Sequence, residues 1–230
     1  MDMTQTRLSY TQESIWFLDR LFPGKVPNNR TSVWRIQGDL HEEALRSALG
    51  EMVHRHEILR TSYPTDDALP VARVELSVPL PLTLIDLSDL TAPKREAAIL
   101  VQTRRDRSHT FDIGQAPLYR ISLIRSSGAE HVLILTMHQI ICDASSVQVF
   151  CKDLADLYVA FCQCESVPAS EPSRQYREFV ARERKSFQDE LSERSRSYWL
   201  ARLGRDIPVL ELPTDRPRPK RHTHEYEVQD

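Results

Sequence analysis

The sequence predicts an α+β fold in which helices pack on a mixed β-sheet. Two β-branched runs, Tyr119–Ile124 and His131–Met137, flank Ser126-Ser127-Gly128 at the spacing of an antiparallel hairpin. Two long segments, Leu40 to Val53 and Val147 to Phe161, repeat apolar residues at helical spacing. The order of these helical and strand-like segments suggests helices laid on one sheet.

From the N-terminus, Thr11 to Leu21 reads as a helix with Ile15, Leu18 and Leu21 on one face, ended by Pro23-Gly24. Thr31 to Ile36 is β-branched and aromatic enough for a strand. Asp39 is expected to cap the next helix, with Glu42 completing a capping box. Leu40, Ala44, Leu45, Ala48, Leu49, Met52 and Val53 form its apolar face. Ile58–Tyr63, Ala72–Leu76 and Leu80–Ile85 are strand candidates separated by prolines, and Pro93 to Arg107 reads as a charged helix. After the hairpin and the loop from His138 to Ala144, Ser145 or Ser146 is expected to cap a long helix. Arg174 to Leu203 reads as one or two Arg/Glu-rich helices anchored by Phe179, Phe187, Tyr198 and Trp199. The tail, with Pro208, Pro213, Pro217 and Pro219, is expected to be extended.

The 230 residues suffice for a substantial core and leave room for one or two domains. A net charge of −3, with no basic stripe interleaved with aromatics, argues against a nucleic-acid partner. No apolar run is long enough to span a membrane and the N-terminus lacks a secretory pattern, so a cytoplasmic location is expected. The four cysteines show no zinc-finger or Cys-x-x-Cys spacing, so no metal is expected. With six glycines, no phosphate-cradling loop is proposed.

The chemistry-bearing segment is the strand-to-helix junction Met137-His138-Gln139-Ile140-Ile141-Cys142-Asp143-Ala144-Ser145-Ser146. A loop leaving a strand and entering a helix gathers polar side chains where a substrate can reach them. Cys142 precedes a helix N-terminus, a position that can lower a thiol pKa, although a small buried residue is the default reading.

This junction resembles the His-His-x-x-x-Asp-Gly motif of nonribosomal peptide synthetase condensation domains. Three other segments resemble that family's motifs in the right order: Leu8-Ser9-Tyr10-Thr11-Gln12-Glu13-Ser14-Ile15-Trp16, Arg55-His56-Glu57-Ile58-Leu59-Arg60-Thr61-Ser62-Tyr63 and Tyr176-Arg177-Glu178-Phe179-Val180. The resemblance implies two lobes, each similar to chloramphenicol acetyltransferase, with the active site between them. It implies amide formation between an acyl donor and an aminoacyl acceptor, each carried on the phosphopantetheine arm of a carrier protein. No cofactor is then bound directly. The partners implied are peptidyl or acyl carrier proteins, with a C-terminal lobe or neighbouring synthetase domains as further candidates.

Residue by residue, His138 matches the first, mainly structural His, and Gln139 stands where the catalytic His is expected. Asp143 matches the motif Asp, which the resemblance pairs with Arg60 in a structural ion pair. Ala144 replaces the motif Gly; its methyl group is expected to narrow the passage for a pantetheine arm beside Ser145. A glutamine amide has no basicity near neutral pH, and losing a general base typically lowers a rate about 10²–10⁴-fold. His138 is a poor substitute, because successive residues at a strand end face opposite ways. Weak or absent catalysis is therefore expected, with recruitment of a carrier protein or tailoring enzyme as the alternative function. A free-standing acyltransferase would need an intact His-x-x-x-Asp, which Gln139 denies. The family's later motifs are absent, so residues 1–170 are expected to form an N-terminal lobe and 171–230 a helical, proline-rich segment leading towards a second lobe.

Overall fold

In the computed structural model, which describes residues 5–22, 24, 28–163, 174–186, 190–204, 210, 213 and 217, the expected hairpin lies inside a four-stranded mixed sheet. In chain order the elements are β1 (Gln5–Thr6), α1 (Tyr10–Leu21), β2 (Asn29–Gln37), α2 (Glu42–Arg55), a 3₁₀ turn (Glu57–Arg60), β3 (Thr61–Ser62), β4 (Thr65–Asp66), β5 (Leu69–Pro70), β6 (Ala72–Val74), β7 (Leu82–Asp86), α3 (Ala92–Arg107), β8 (Tyr119–Ser127), β9 (Glu130–His138), α4 (Ala144–Cys162), α5 (Tyr176–Ser186) and α6 (Glu190–Leu203).

The main sheet has the order β2-β9-β8-β7. β9 pairs antiparallel with both neighbours, Trp34 and Leu123 each opposite Leu133, whereas β7 runs parallel to β8. One face buries Ile121, Leu123, Leu133, Leu135 and Met137 against Leu45, Leu49 and Met52 of α2 and Phe150, Leu154 and Leu157 of α4. The other buries Ile124, Val132 and Ile134 against Ile99 of α3. Because both faces are covered, every residue from His131 to His138 is buried and β9 shows no apolar–polar alternation. Beneath α3, the fully buried Asp106 accepts from Ser122 Oγ at 2.7 Å and Gln102 Nε2 at 2.9 Å, and lies 3.1 Å from Arg120 Nε. A three-stranded sheet, β1-β6-β3, carries the N-terminal strand.

Several local expectations change. His41, not Asp39, caps α2, its Nδ1 accepting from Ala44 N at 3.2 Å, while the His41 N–H donates to the Tyr158 hydroxyl of α4. The strand expected from Ile58 begins only at Thr61; the preceding residues wind into the 3₁₀ turn, with the Glu57 N–H donating to Gln175 Oε1. Asp143, not Ser145 or Ser146, caps α4.

A first compact unit runs to Val180, past the boundary expected at residue 170, because the start of α5 packs within it. Gln175 donates to the Arg55 carbonyl, Tyr176 to Ser9 Oγ, and Arg177 pairs with Glu57. The second unit begins at Ala181. Within it Tyr198 and Trp199 of α6 stack edge to face and are more than half exposed, so they are not core anchors as expected. Phe187 and most of the proline-rich tail lie outside the described residues. No described helix is long and apolar enough to cross a membrane.

Candidate active site

The site is built where β9 ends. The His138 N–H donates to the Leu118 carbonyl, which closes the strand's last pairing. The Gln139 N–H then donates to the Asn28 carbonyl at 2.6 Å, just before β2. Between these two bonds the chain turns outward. His138 is buried, only 3% exposed, whereas Gln139 is exposed, the opposite orientations that the pleat demands. Among the described residues the exposed Gln139 carboxamide makes no hydrogen bond.

His138 is held by its surroundings rather than poised for proton transfer. Its Nδ1 accepts from the Ile140 N–H at 3.2 Å, so the ring proton sits on Nε2, which faces Asp19 Oδ1 of α1 at 3.7 Å. Phe111 meets the ring edge to face at 6.3 Å between centroids. Burial lowers the His138 pKa to about 4, so near neutral pH the ring is uncharged. Burial also raises the Asp19 carboxyl, with Arg20 opposing that rise and Asp112 adding to it. The His138–Asp19 contact is thus one between a carboxylate and a neutral N–H, not an ion pair.

Cys142 is buried behind the loop, its thiol directed at the His138 carbonyl at 3.5 Å and pushed up to about 12 by burial. Burial outweighs any helix-terminus effect, and the sulfur is not a nucleophile at neutral pH.

Asp143 caps α4. Its Oδ1 accepts from Ser146 N and Ser146 Oγ, both at 2.7 Å, and Ser146 Oγ accepts from the Asp143 N–H. These bonds, led by the Ser146 hydroxyl, hold the Asp143 carboxyl below its ordinary range, with Arg30 contributing charge. Arg60 instead donates through Nη1 to the Glu75 carbonyl at 2.6 Å. Among the described residues no ion pair joins Arg60 to Asp143, contrary to expectation. Asp143 is spent on the helix terminus and the guanidinium on the backbone just past β6, so each has a local partner. Ala144 and Ser145 are both exposed at the start of α4. No group of described residues could hold a metal ion.

Sequence reasoning did not single out Gln12. This buried residue of α1 donates through Nε2 to the Tyr63 hydroxyl at 2.8 Å and to the Ile140 carbonyl at 3.0 Å, while its Oε1 accepts from Ser9 N. Ser9 Oγ in turn accepts from Gln12 N, a complete capping box. Ser9-x-x-Gln12 ahead of an apolar run is the signal that could have found it. Through Gln12, Tyr63 and Tyr176 the four motif segments are linked in one hydrogen-bonded chain, with Gln12 making the contact to the loop.

Comparisons with known proteins agree with this arrangement. The family model described as "Condensation domain" matches residues 3–229. Chondramide synthase of Chondromyces crocatus is 37% identical over 92% of the chain, which spans only 5% of that protein. Phosphinothricin tripeptide synthetase of Streptomyces viridochromogenes is 34% identical over 92% of the chain, which spans 20% of it. Among solved structures, the first condensation domain of the calcium-dependent antibiotic synthetase, in complex with a substrate analogue, superposes with a TM-score of 0.79 at 27% identity. That match covers 90% of this chain and 49% of the solved one.

Proposed function

The chain belongs to the condensation-domain family, and from that premise we propose that it supplies the motif-bearing lobe of a site that joins a carrier-bound acyl or peptidyl thioester to a carrier-bound amine. Atoms balance simply: the amine nitrogen bonds to the thioester carbon, the C–S bond breaks, and one proton leaves the nitrogen for the departing thiolate. Residues of a second lobe would close the cleft and keep water out, since this chain spans about half of the solved domain.

The observation that carries the reading is the contrast at the strand end. Gln139 is exposed, its carboxamide without a hydrogen bond among the described residues, and His138 beside it is buried, neutral and turned inward. A carboxamide can hold an amine by its oxygen but cannot accept the amine's proton near neutral pH. The lobe therefore orients an acceptor without serving as general base, and condensation through it is slow. The phosphopantetheine arm would approach across the exposed start of α4 at Ala144 and Ser145. A second reading rests on the same substitution: a domain that no longer condenses keeps the fold to recruit a carrier protein or a tailoring enzyme.

The test completes the domain with a second lobe and supplies donor- and acceptor-loaded carrier proteins. Slow, carrier-dependent amide formation supports the first reading. Carrier binding without product supports the second. Absence of both product and carrier binding contradicts the proposal.

A further inference from the structure

Gln12 and Asp19 lie seven residues apart on α1, two helical turns, and so share one face of the helix. That face meets the loop on either side of Gln139. Gln12 Nε2 donates to the Ile140 carbonyl at 3.0 Å, and Asp19 Oδ1 faces His138 Nε2 at 3.7 Å. The two gripped residues are themselves joined, since the Ile140 N–H donates to His138 Nδ1. We infer that α1 is a clamp in which Asp19 and Gln12 are positioning residues, fixing residues 138 and 140 so that the Gln139 side chain leaves the loop in one direction.

The geometry gives each residue a separate task. Gln12 fixes the carbonyl after Gln139, and its own amide is locked by Tyr63 and by the capping box with Ser9. Asp19 keeps the imidazole before Gln139 in one ring orientation: the Ile140 N–H on Nδ1 sets the tautomer, and the Nε2 proton is left facing the Asp19 carboxylate on the α1 side. The groups around this contact are Arg20 and Asp112, which act on Asp19, and Phe111, which covers the imidazole edge. Among the described residues Gln139 itself is tied through its backbone, to the Asn28 carbonyl. Its side chain therefore takes its direction from its neighbours.

The inference rests on Gln139 being the residue that meets the reacting amine, but its test needs no turnover and so fails or succeeds separately from that reading. The chain is labelled with ¹⁵N, and amide exchange is followed together with the imidazole nitrogen signals of His138. Asp19→Ala and Gln12→Ala are each expected to speed exchange of the Gln139 and Ile140 amides at least about tenfold more than exchange of the Leu133 and Leu135 amides of β9, a local opening beyond any general loss of stability. Asp19→Ala should also shift the His138 Nε2 signal, because the group facing that N–H is removed. Asp19→Asn, whose side-chain oxygen can still face that N–H, should restore it. The clamp is overturned if the His138 Nε2 signal and the protection of Ile140 are both unchanged in Asp19→Ala. It is equally overturned if protection is lost throughout β9 in both Asp19→Ala and the near-isosteric Asp19→Asn, which would show a general loss of structure.

Discussion

Gln12 donates through Nε2 to the Tyr63 hydroxyl at 2.8 Å, and from the same nitrogen to the Ile140 carbonyl, so one buried amide ties the first helix to the second motif segment and to the candidate loop. Both side chains are buried, Tyr63 completely, so neither group has water as a substitute partner. Leaving a buried polar group unpaired costs about 1–3 kcal/mol. Gln12→Ala, which strands both partners, is expected to lower stability by about 2 kcal/mol, and Tyr63→Phe by about 1 kcal/mol. Urea unfolding followed by tryptophan fluorescence measures both. An unchanged midpoint for Gln12→Ala would contradict the account.

Asp143 and Arg60 are predicted to act independently. Asp143→Ala removes a helix cap and should cost about 1 kcal/mol. In a double-mutant cycle with Arg60→Ala the coupling should stay within about 0.5 kcal/mol. A buried ion pair would instead lose about 3–5 kcal/mol when either partner is removed. A large coupling energy would restore the pair that the motif resemblance implied.

The buried Asp106 is expected to matter more than either. It accepts from Ser122 and Gln102 and faces Arg120 beneath α3. Asp106→Ala leaves the guanidinium and both donors without their acceptor, and should destabilise the first unit by about 3–5 kcal/mol. Thermal unfolding by circular dichroism checks this; a loss below 1 kcal/mol, on the order of a surface substitution, would refute it.

The strand hairpin, the helix-packed mixed sheet and the loop carrying Gln139 were all legible, because apolar periodicity and motif order record them directly. What was not legible depends on contacts between distant segments. The 3₁₀ turn at Glu57–Arg60 sits in an apolar stretch that reads as a strand, and a side chain more than a hundred positions away, Gln175, pins its first N–H. The β4–β5 hairpin turns through Asp67 and Ala68 at positive φ, with no glycine to announce it. Arg60 and Asp143 had matching motif positions and opposite charges, yet each found a nearer partner in its own backbone surroundings. Gln12 lies inside a motif segment, and its capping-box spacing from Ser9 is the one local signal that marks it. Asp19 has no sequence signal, since its importance lies wholly in facing His138.

Acid should weaken the fold through His138. The unfolded side chain takes up a proton near its ordinary pKa of 6.5, the folded one only near 4. Between those values the unfolded state binds more protons, so stability falls as pH drops. A gap of that size corresponds to about 3 kcal/mol. Asp19 acts in the opposite sense: burial raises its carboxyl, so its contribution grows as pH falls and offsets part of the loss. Urea midpoints at pH 7 and pH 4.5 should therefore differ more for the natural chain than for His138→Gln. Equal differences would show that the buried imidazole does not govern the acid response.

The central claim is that Gln139 orients an acceptor amine without taking its proton, and one rate comparison tests it most directly. In a domain completed by a second lobe, with donor- and acceptor-loaded carrier proteins, single-turnover condensation is measured for the natural sequence, Gln139→His and Gln139→Ala. Restoring a base at this exposed position is predicted to raise the rate by about 10²-fold or more, with its pH profile acquiring the titration of an imidazole. Gln139→Ala is predicted to change the already slow rate little. A natural sequence that condenses as fast as Gln139→His, and that loses its activity on Gln139→Ala, would contradict the account and assign the chemistry to the carboxamide itself.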